Sequence, residues 1–103
     1  MRTVVITDGK YRSSIAAARM LGRGGNRVVV TQTRGDLTLE PPVFSSRFVG
    51  RGRWLAGSVN DPDYPNWLCE LLREYDHPVL FCVGAASLNA VSRRRERFAQ
   101  VCD

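Results

Sequence analysis

Three short stretches of the chain are apolar without interruption: Val4-Val5-Ile6, Val28-Val29-Val30 and Val79-Leu80-Phe81-Cys82-Val83. A half-buried strand alternates apolar and polar residues. Unbroken runs rich in β-branched residues instead predict strands covered on both faces, as in a parallel sheet. The sequence between them predicts helices. Thr3 to Thr7 reads as the first strand, and Asp8-Gly9 breaks it. Ser13 or Ser14 is expected to cap the helix that follows by accepting a hydrogen bond from a free backbone N–H. That helix runs to about Leu21, with Ile15, Ala18 and Gly22 as its packing stripe and Leu21 adjoining it. Arg12, Arg19 and Arg23 fall on another face, in solvent. Gly22, Gly24, Gly25 and Asn26 end the helix, since these residues tolerate left-handed backbone angles. Arg27 to Thr31 reads as the second strand. Such a strand-helix-strand unit predicts two adjacent parallel strands with a right-handed crossover.

Residues 32–46 are polar and turn-rich and read as a loop. Arg47-Phe48-Val49 reads as a short third strand, Gly50-Arg51-Gly52-Arg53 as a turn, and Trp54 with Leu55 as a cover over one end of the sheet. Asp61-Pro62 marks a helix start, a carboxylate N-cap followed by proline at the first helical position. Tyr64, Trp67, Leu68, Leu71, Leu72 and Tyr75 then fit an amphipathic helix, with Pro65 tolerated in its first turn. Asp76-His77-Pro78 stops it before the next strand. Gly84-Ala85-Ala86-Ser87 reads as a small-residue turn, followed by a helix carrying Leu88, Val91 and Phe98. Gln100-Val101-Cys102 reads as the opening of a fifth strand. Together these elements predict one α/β domain over residues 1–103. It is a three-layer, Rossmann-like open parallel sheet of four to five strands, order 3-2-1-4-5, with helices on both faces.

A chain of 103 residues supplies one small domain and not two. No segment approaches the ~18 apolar residues of a membrane span. The N-terminus passes from one arginine straight into strand-like sequence, without the long apolar stretch and small-residue cleavage site of a signal peptide, so a cytoplasmic protein is expected. Cys69, Cys82 and Cys102 have no close spacing that fits zinc or redox work, and are expected to be buried thiols acting as small hydrophobes. His77 reads as a solvated turn residue. The net charge is +5, and 14 of the 15 basic residues are arginine. That balance permits binding to nucleic acid, anionic ligands or acidic partners. The run Arg93-Arg94-Arg95-Glu96-Arg97 reads as a solvated helix face rather than a nucleic-acid surface, because its side chains spread around the helix and Glu96 interrupts them.

An open parallel sheet binds ligands beyond the carboxyl ends of its strands, where strand order reverses. In the predicted order that point lies between strands one and four. Asp8, Gly9, Lys10, Arg12, Ser13 and Ser14 of the first loop meet Gly84, Ala85, Ala86 and Ser87 of the later one there. Gln32, Thr33 and Arg34 line the side. Helix N-termini and the side chains of Lys10 and Arg12 favour an anionic ligand. The first loop lacks the GxGxxG of a dinucleotide fingerprint, and no GxxxxGK[ST] phosphate loop occurs. No Ser/His/Asp or Cys/His set assembles at a strand-helix junction, so no catalytic or metal-binding residue is assigned.

The order of these pieces resembles a known family. The residues that carry the likeness are Ser13-Ser14 after the first strand and the helix end Leu21-Gly22-Arg23-Gly24-Gly25-Asn26-Arg27-Val28-Val29-Val30. Ser45-Ser46-Arg47-Phe48-Val49, Asp61-Pro62 with its amphipathic helix, and Val91-Ser92-Arg93 after the apolar strand continue it. From about Arg2 to Cys102, the chain resembles the N-terminal, pre-ATP-grasp domain of ATP-grasp ligases, in particular those like the carbamoyl phosphate synthase large subunit. The resemblance implies a Rossmann-like domain that packs against ATP-binding lobes and supplies part of the acceptor-substrate pocket, with Asp8 to Ser14 matching that segment in position. ATP and magnesium are implied for the parent enzyme and belong to lobes outside this chain, which alone is expected to be inactive. Relatives commonly carry Thr or Ser and then acidic residues after the fourth strand; this chain has Gly84 to Ser87. The other reading of the residues is a stand-alone Rossmann-like module that binds an anionic metabolite or a partner protein.

Overall fold

The computed structural model describes residues 2–37 and 39–103. Its elements follow in the order β1 (Thr3–Ile6), α1 (Arg12–Arg23), β2 (Arg27–Thr33), a 3-10 turn (Pro42–Ser45), β3 (Arg51–Leu55), α2 (Tyr64–Leu72), β4 (Val79–Phe81), α3 (Ala85–Ser92) and α4 (Arg95–Ala99). The four strands form one all-parallel sheet, order β3-β2-β1-β4. Val4, Val5 and Ile6 pair with Val28, Val29 and Val30 on one side and with Val79, Leu80 and Phe81 on the other.

Alternate residues of the inner strands feed two cores. Val4, Ile6, Val28 and Val30 meet Ala17 and Ala18 of α1, with Val43 of the 3-10 turn. Val5 and Val29 meet Tyr64, Leu68 and Leu72 of α2, with Phe98 of α4 and Cys102. β1 and β2 are therefore covered on both faces, as their apolar runs require, whereas β4 departs from that expectation: it is an edge strand, half-buried to exposed. The layers differ in kind. The buried face of α1 is Ser14, Ala17 and Ala18, so this helix lies close to the sheet, whereas α2 spans a wider gap with large side chains. Arg12, Arg19 and Arg23 are exposed, as their spacing predicts.

Several local expectations are corrected. Neither Ser13 nor Ser14 caps α1. Tyr11 holds the N-cap position with no side-chain bond. Ser14 lies inside the helix, and its hydroxyl faces the carbonyls of Tyr11 and Gly9 at 2.6 and 2.9 Å. β2 extends to Thr33, so Gln32 and Thr33 are strand residues. The rest of the predicted loop stays irregular apart from the 3-10 turn, and its position 38 lies outside the described residues. The third strand is Arg51–Leu55 and not Arg47–Val49. Phe48 instead lies beside Gly22 of α1. Polar sequence is accommodated in β3 because it is an edge strand: Arg53 turns toward α2 and holds the Glu74 carboxylate with two bonds of 2.9 Å. Charged side chains on an edge also discourage further pairing.

α2 starts at Tyr64 with Asp63 at the N-cap. Asp61 begins the turn ahead of it, accepting the Asp63 N–H at 3.0 Å. The helix ends at Leu72, short of Tyr75, and His77 sits exposed at a φ of 47°. Ala85, Ala86 and Ser87 form the first turn of α3 rather than a loop. The arginine-bearing helix breaks at Arg94 (φ −125°, ψ 37°), which separates α3 from α4. The N–H groups of Val101 and Cys102 bond back to Phe98, so residues 100–102 close α4 and are not a strand. Only Asp103 reaches the sheet: its N–H bonds to Pro78 at 2.9 Å and its carbonyl accepts the Leu80 N–H at 3.0 Å. Cys69 and Cys102 are buried, Cys82 is half-buried, and all three are free thiols.

Gly52 in β3 carries the ring of Phe44, which meets Trp54 edge-on at 5.5 Å. A Cβ at position 52 would stand 2.5 Å from that ring. Gly52→Ala is expected to destabilise the fold by about 1–3 kcal/mol, as overpacking does. Urea unfolding followed by circular dichroism checks it; an unchanged midpoint contradicts the packing described.

Candidate functional site

The carboxyl ends of β1 and β4 lie side by side, so the loops that follow them meet at the predicted crevice. Asp8 occupies it. This residue takes a positive φ of 60°, a conformation aspartate tolerates better than most side chains. The turn drives its carboxylate across to α3, where it is only 7% exposed. Its Oδ2 accepts hydrogen bonds from the Thr7 hydroxyl at 2.7 Å, the Ser87 hydroxyl at 2.5 Å and the Gly84 N–H at 3.0 Å. The Thr7 hydroxyl in turn accepts the Val83 N–H at 3.2 Å. Gly84 has to be glycine here, since a Cβ would come within 2.7 Å of the same carboxylate oxygen.

This knot gives the N-terminus of α3 its anion. Free N–H groups and the helix dipole at that end favour negative charge, and Asp8 supplies it from within the chain. Thr7 and Ser87 are fully buried, so the bonds operate away from water, where they are strongest.

The remaining predicted residues are distributed around the knot. The N–H of Gly9 bonds to Thr31 at 3.0 Å, and that of Lys10 to Gln32 Oε1 at 2.9 Å. Gln32 also donates to the Thr33 carbonyl at 3.2 Å. Gly9, Gln32 and Ser14 thus hold the first loop's backbone in place. The Lys10 ammonium lies 5.3 Å from the Tyr11 ring centre. Arg12 and Ser13 are exposed. The Arg34 guanidinium stacks on Trp54 at 4.7 Å. The structure therefore brings Asp8, Gly84 and Ser87 into direct contact, links Gly9, Lys10, Ser14 and Gln32 through the first loop's backbone, and ties Thr33 to Asp36 instead. Arg12 and Ser13 stand apart, and Ala85 and Ala86 contribute only helix backbone.

Two functional-looking groups had no signal in the linear sequence. Thr7 reads as the last strand residue, yet its hydroxyl links both loops. Asp36 joins the loops after β2 and β3: it accepts from the Thr33 hydroxyl, from Ser58 at 2.8 Å and from the Val59 N–H at 2.8 Å. Burial pushes the Asp36 carboxyl up. The bonds from Thr33, Val59 and Ser58, with Lys10 nearby, outweigh that and hold it below its ordinary value. Burial pushes the Cys82 thiol up to about 11, reinforced by the Asp8 charge, so it stays protonated at neutral pH.

β4 is flanked by apolar hollows on both faces of the sheet. One of about 400 Å³ is lined by Leu80, Leu88, Val91 and Phe98. The other, about 370 Å³, lies toward α1 and is lined by Ala17, Met20, Phe81 and Val83. Met20, Phe81 and Leu88 are 68%, 43% and 52% exposed, a concentration of large apolar side chains around one short strand. No helix among the described residues is long and apolar enough to cross a membrane.

No protein-family model matches the chain, and no curated protein matches its sequence.

Ser87→Ala removes a buried donor from Asp8 and is expected to cost about 1–3 kcal/mol. Ser13→Ala, at an exposed position, is expected to change stability by no more than about 0.5 kcal/mol. Equal effects in denaturant titrations contradict the knot. A carboxyl held below its unfolded value contributes stability at neutral pH and loses it as pH falls through the folded value. Asp36→Asn is therefore expected to be less stable than wild type near pH 7, with the difference shrinking below about pH 4. A difference that grows on acidification contradicts that assignment.

Proposed function

We propose that this chain is a docking module: the Rossmann-like, substrate-side N-terminal unit of an ATP-grasp ligase of the carbamoyl phosphate synthase large-subunit type, seated against the ATP-binding lobes along β4. The observation that carries the reading is the uncovered apolar surface on both faces of β4. Monomeric domains rarely leave large apolar side chains gathered around one element, and such patches mark contact surfaces. The edge of β4 supports the same placement. Asp103 pairs with its start, while the Leu80 carbonyl and Cys82 N–H beyond it have no backbone partner among the described residues. An added strand satisfies both groups. The sequence likeness to pre-ATP-grasp domains supplies the identity of the occupant. In this reading ATP and magnesium are held by the lobes, the reaction is ATP-dependent ligation, and this chain provides a wall of the acceptor pocket.

The alternative, a stand-alone module with an anionic ligand at the first loop, draws less support. The α3 N-terminus there is already satisfied by Asp8, and Arg12 projects into solvent.

The test is reconstitution with ATP-grasp lobes encoded in the same genome and produced without an N-terminal domain. Binding by isothermal titration calorimetry is expected, and Phe81→Asp with Leu88→Asp is expected to weaken it about tenfold or more, since both bury apolar surface at the contact. No complex with any such lobe overturns the proposal. So does ATP turnover at an ordinary enzymatic rate by the purified chain alone.

A further inference from the structure

A polar cleft of about 540 Å³ lies between the start of α2 and the outer face of α3. It is separate from the Asp8 knot and from the apolar hollows beside β4. On the α3 side, Ala86, Asn89, Ala90 and Arg93 follow one another at helical spacing and all line it. Ala86 and Ala90 are short, so this wall is recessed and leaves room between the longer Asn89 and Arg93. Arg94 lines the same cleft. The backbone leaves helical geometry at that residue, so its side chain is freed from the ~100° rotation that separates neighbours on a helix. Both arginines are exposed and line this cleft, and both also border the adjoining hollow that Arg95, Glu96 and Arg97 line. Opposite them stand Asn60 and Asp61, with Pro62 and Pro65 forming a wall whose backbone is fixed by the proline rings.

The two arginine charges in this cleft are not used by the fold. Among the described residues Arg93 and Arg94 make no ion pair and their side chains make no hydrogen bond. Arg97, three residues beyond the break, is by contrast engaged with Asn66 at 2.5 Å. Arg53 is engaged with Glu74. The Asp61 carboxylate is partly committed to the Asp63 N–H, leaving two guanidiniums against one carboxylate. Planar guanidiniums match the oxygens of a phosphate group through paired charge-assisted bonds. The volume falls in the range of small-molecule sites. Asn60, Asn89 and the free oxygen of Asp61 offer acceptors and donors for hydroxyl or amine groups on the remainder of the molecule.

We infer that the cleft between α2 and α3 binds a phosphate-bearing small polar metabolite, with Arg93 and Arg94 holding the phosphate and Asn60, Asp61 and Asn89 facing its hydroxyl or amine groups. The inference does not rest on the docking reading, because the cleft is formed by α2 and α3 and includes no residue of β4.

The probe is inorganic pyrophosphate, titrated into the purified chain by calorimetry at 150 mM salt. Saturable binding to the wild type is expected. Arg93→Gln with Arg94→Gln is expected to weaken it about tenfold or more, the loss typical of removing charge-assisted bonds. Arg12→Gln with Arg19→Gln removes the same charge from the exposed face of α1 and is expected to change affinity by less than about twofold, since exposed charges at a distance are screened. Ala90→Met narrows the cleft without altering charge and is also expected to weaken binding, with its melting temperature checked to show that the chain still folds. Equal losses from both arginine pairs overturn the proposal, as does unchanged affinity in Ala90→Met. Absence of pyrophosphate binding overturns it. Retention of single-stranded RNA through the same two arginines, without pyrophosphate binding, also overturns it and reassigns the surface to a polyanion.

Discussion

The first strand has a neighbour on each edge and a helical layer on each face, and most of the structure follows from satisfying it. Val4 and Ile6 enter one apolar cluster and Val5 the other, all three no more than 3% exposed. Burying backbone that deeply is tolerable only when every N–H and C=O is paired, which requires β2 and β4 alongside. Burying both rows of side chains requires two separate covers. A thin cover of alanine and serine on α1 and a thick cover of leucine and tyrosine on α2 meet that demand from opposite sides. The parallel arrangement then gathers the loops after all four strands at one end of the sheet.

That end is where ligand chemistry is expected in such folds, and Asp8 changes what it offers. A carboxylate placed at the start of α3 answers the helix dipole and ties the loops after β1 and β4 together through Thr7, Gly84 and Ser87. The crevice becomes a rigid joint. Surfaces with unspent interactions lie elsewhere: apolar hollows along β4, where the sheet ends without a full neighbour, and the arginine-bearing cleft between α2 and α3. The two differ in kind. The first offers hydrophobic area and strand edge to another polypeptide, and the second offers charge and hydrogen bonds to a small anion.

The parts legible in the sequence were those encoded by local periodicity. Val4-Val5-Ile6 and Val28-Val29-Val30 declared strands buried on both faces, and Tyr64, Leu68, Leu71 and Leu72 declared a helix with one apolar face. Hydrophobic spacing records burial directly, because each buried side chain must recur at the repeat of its own element. The strand order implied by the strand-helix-strand unit brings the loops at the carboxyl ends of β1 and β4 together. β3 lies at Arg51–Leu55, a few residues past the expected Arg47–Val49, since Phe48-Val49 looks more strand-like than Arg51-Gly52-Arg53. Edge pairing to β2 and the space needed under Phe44 decided otherwise.

The sequence by itself determined an α/β chain with parallel inner strands and the identity of the layers that cover them. Only the tertiary structure decided that Asp8 would serve α3 rather than a ligand, because its partners Gly84 and Ser87 lie 76 and 79 residues away. It likewise decided that the helix would break at Arg94, with Arg93 and Arg94 bordering the cleft beside α2. Burial leaves a periodic trace along a chain. A carboxylate's choice of partner, or a guanidinium's lack of one, leaves none until the backbone has closed in three dimensions.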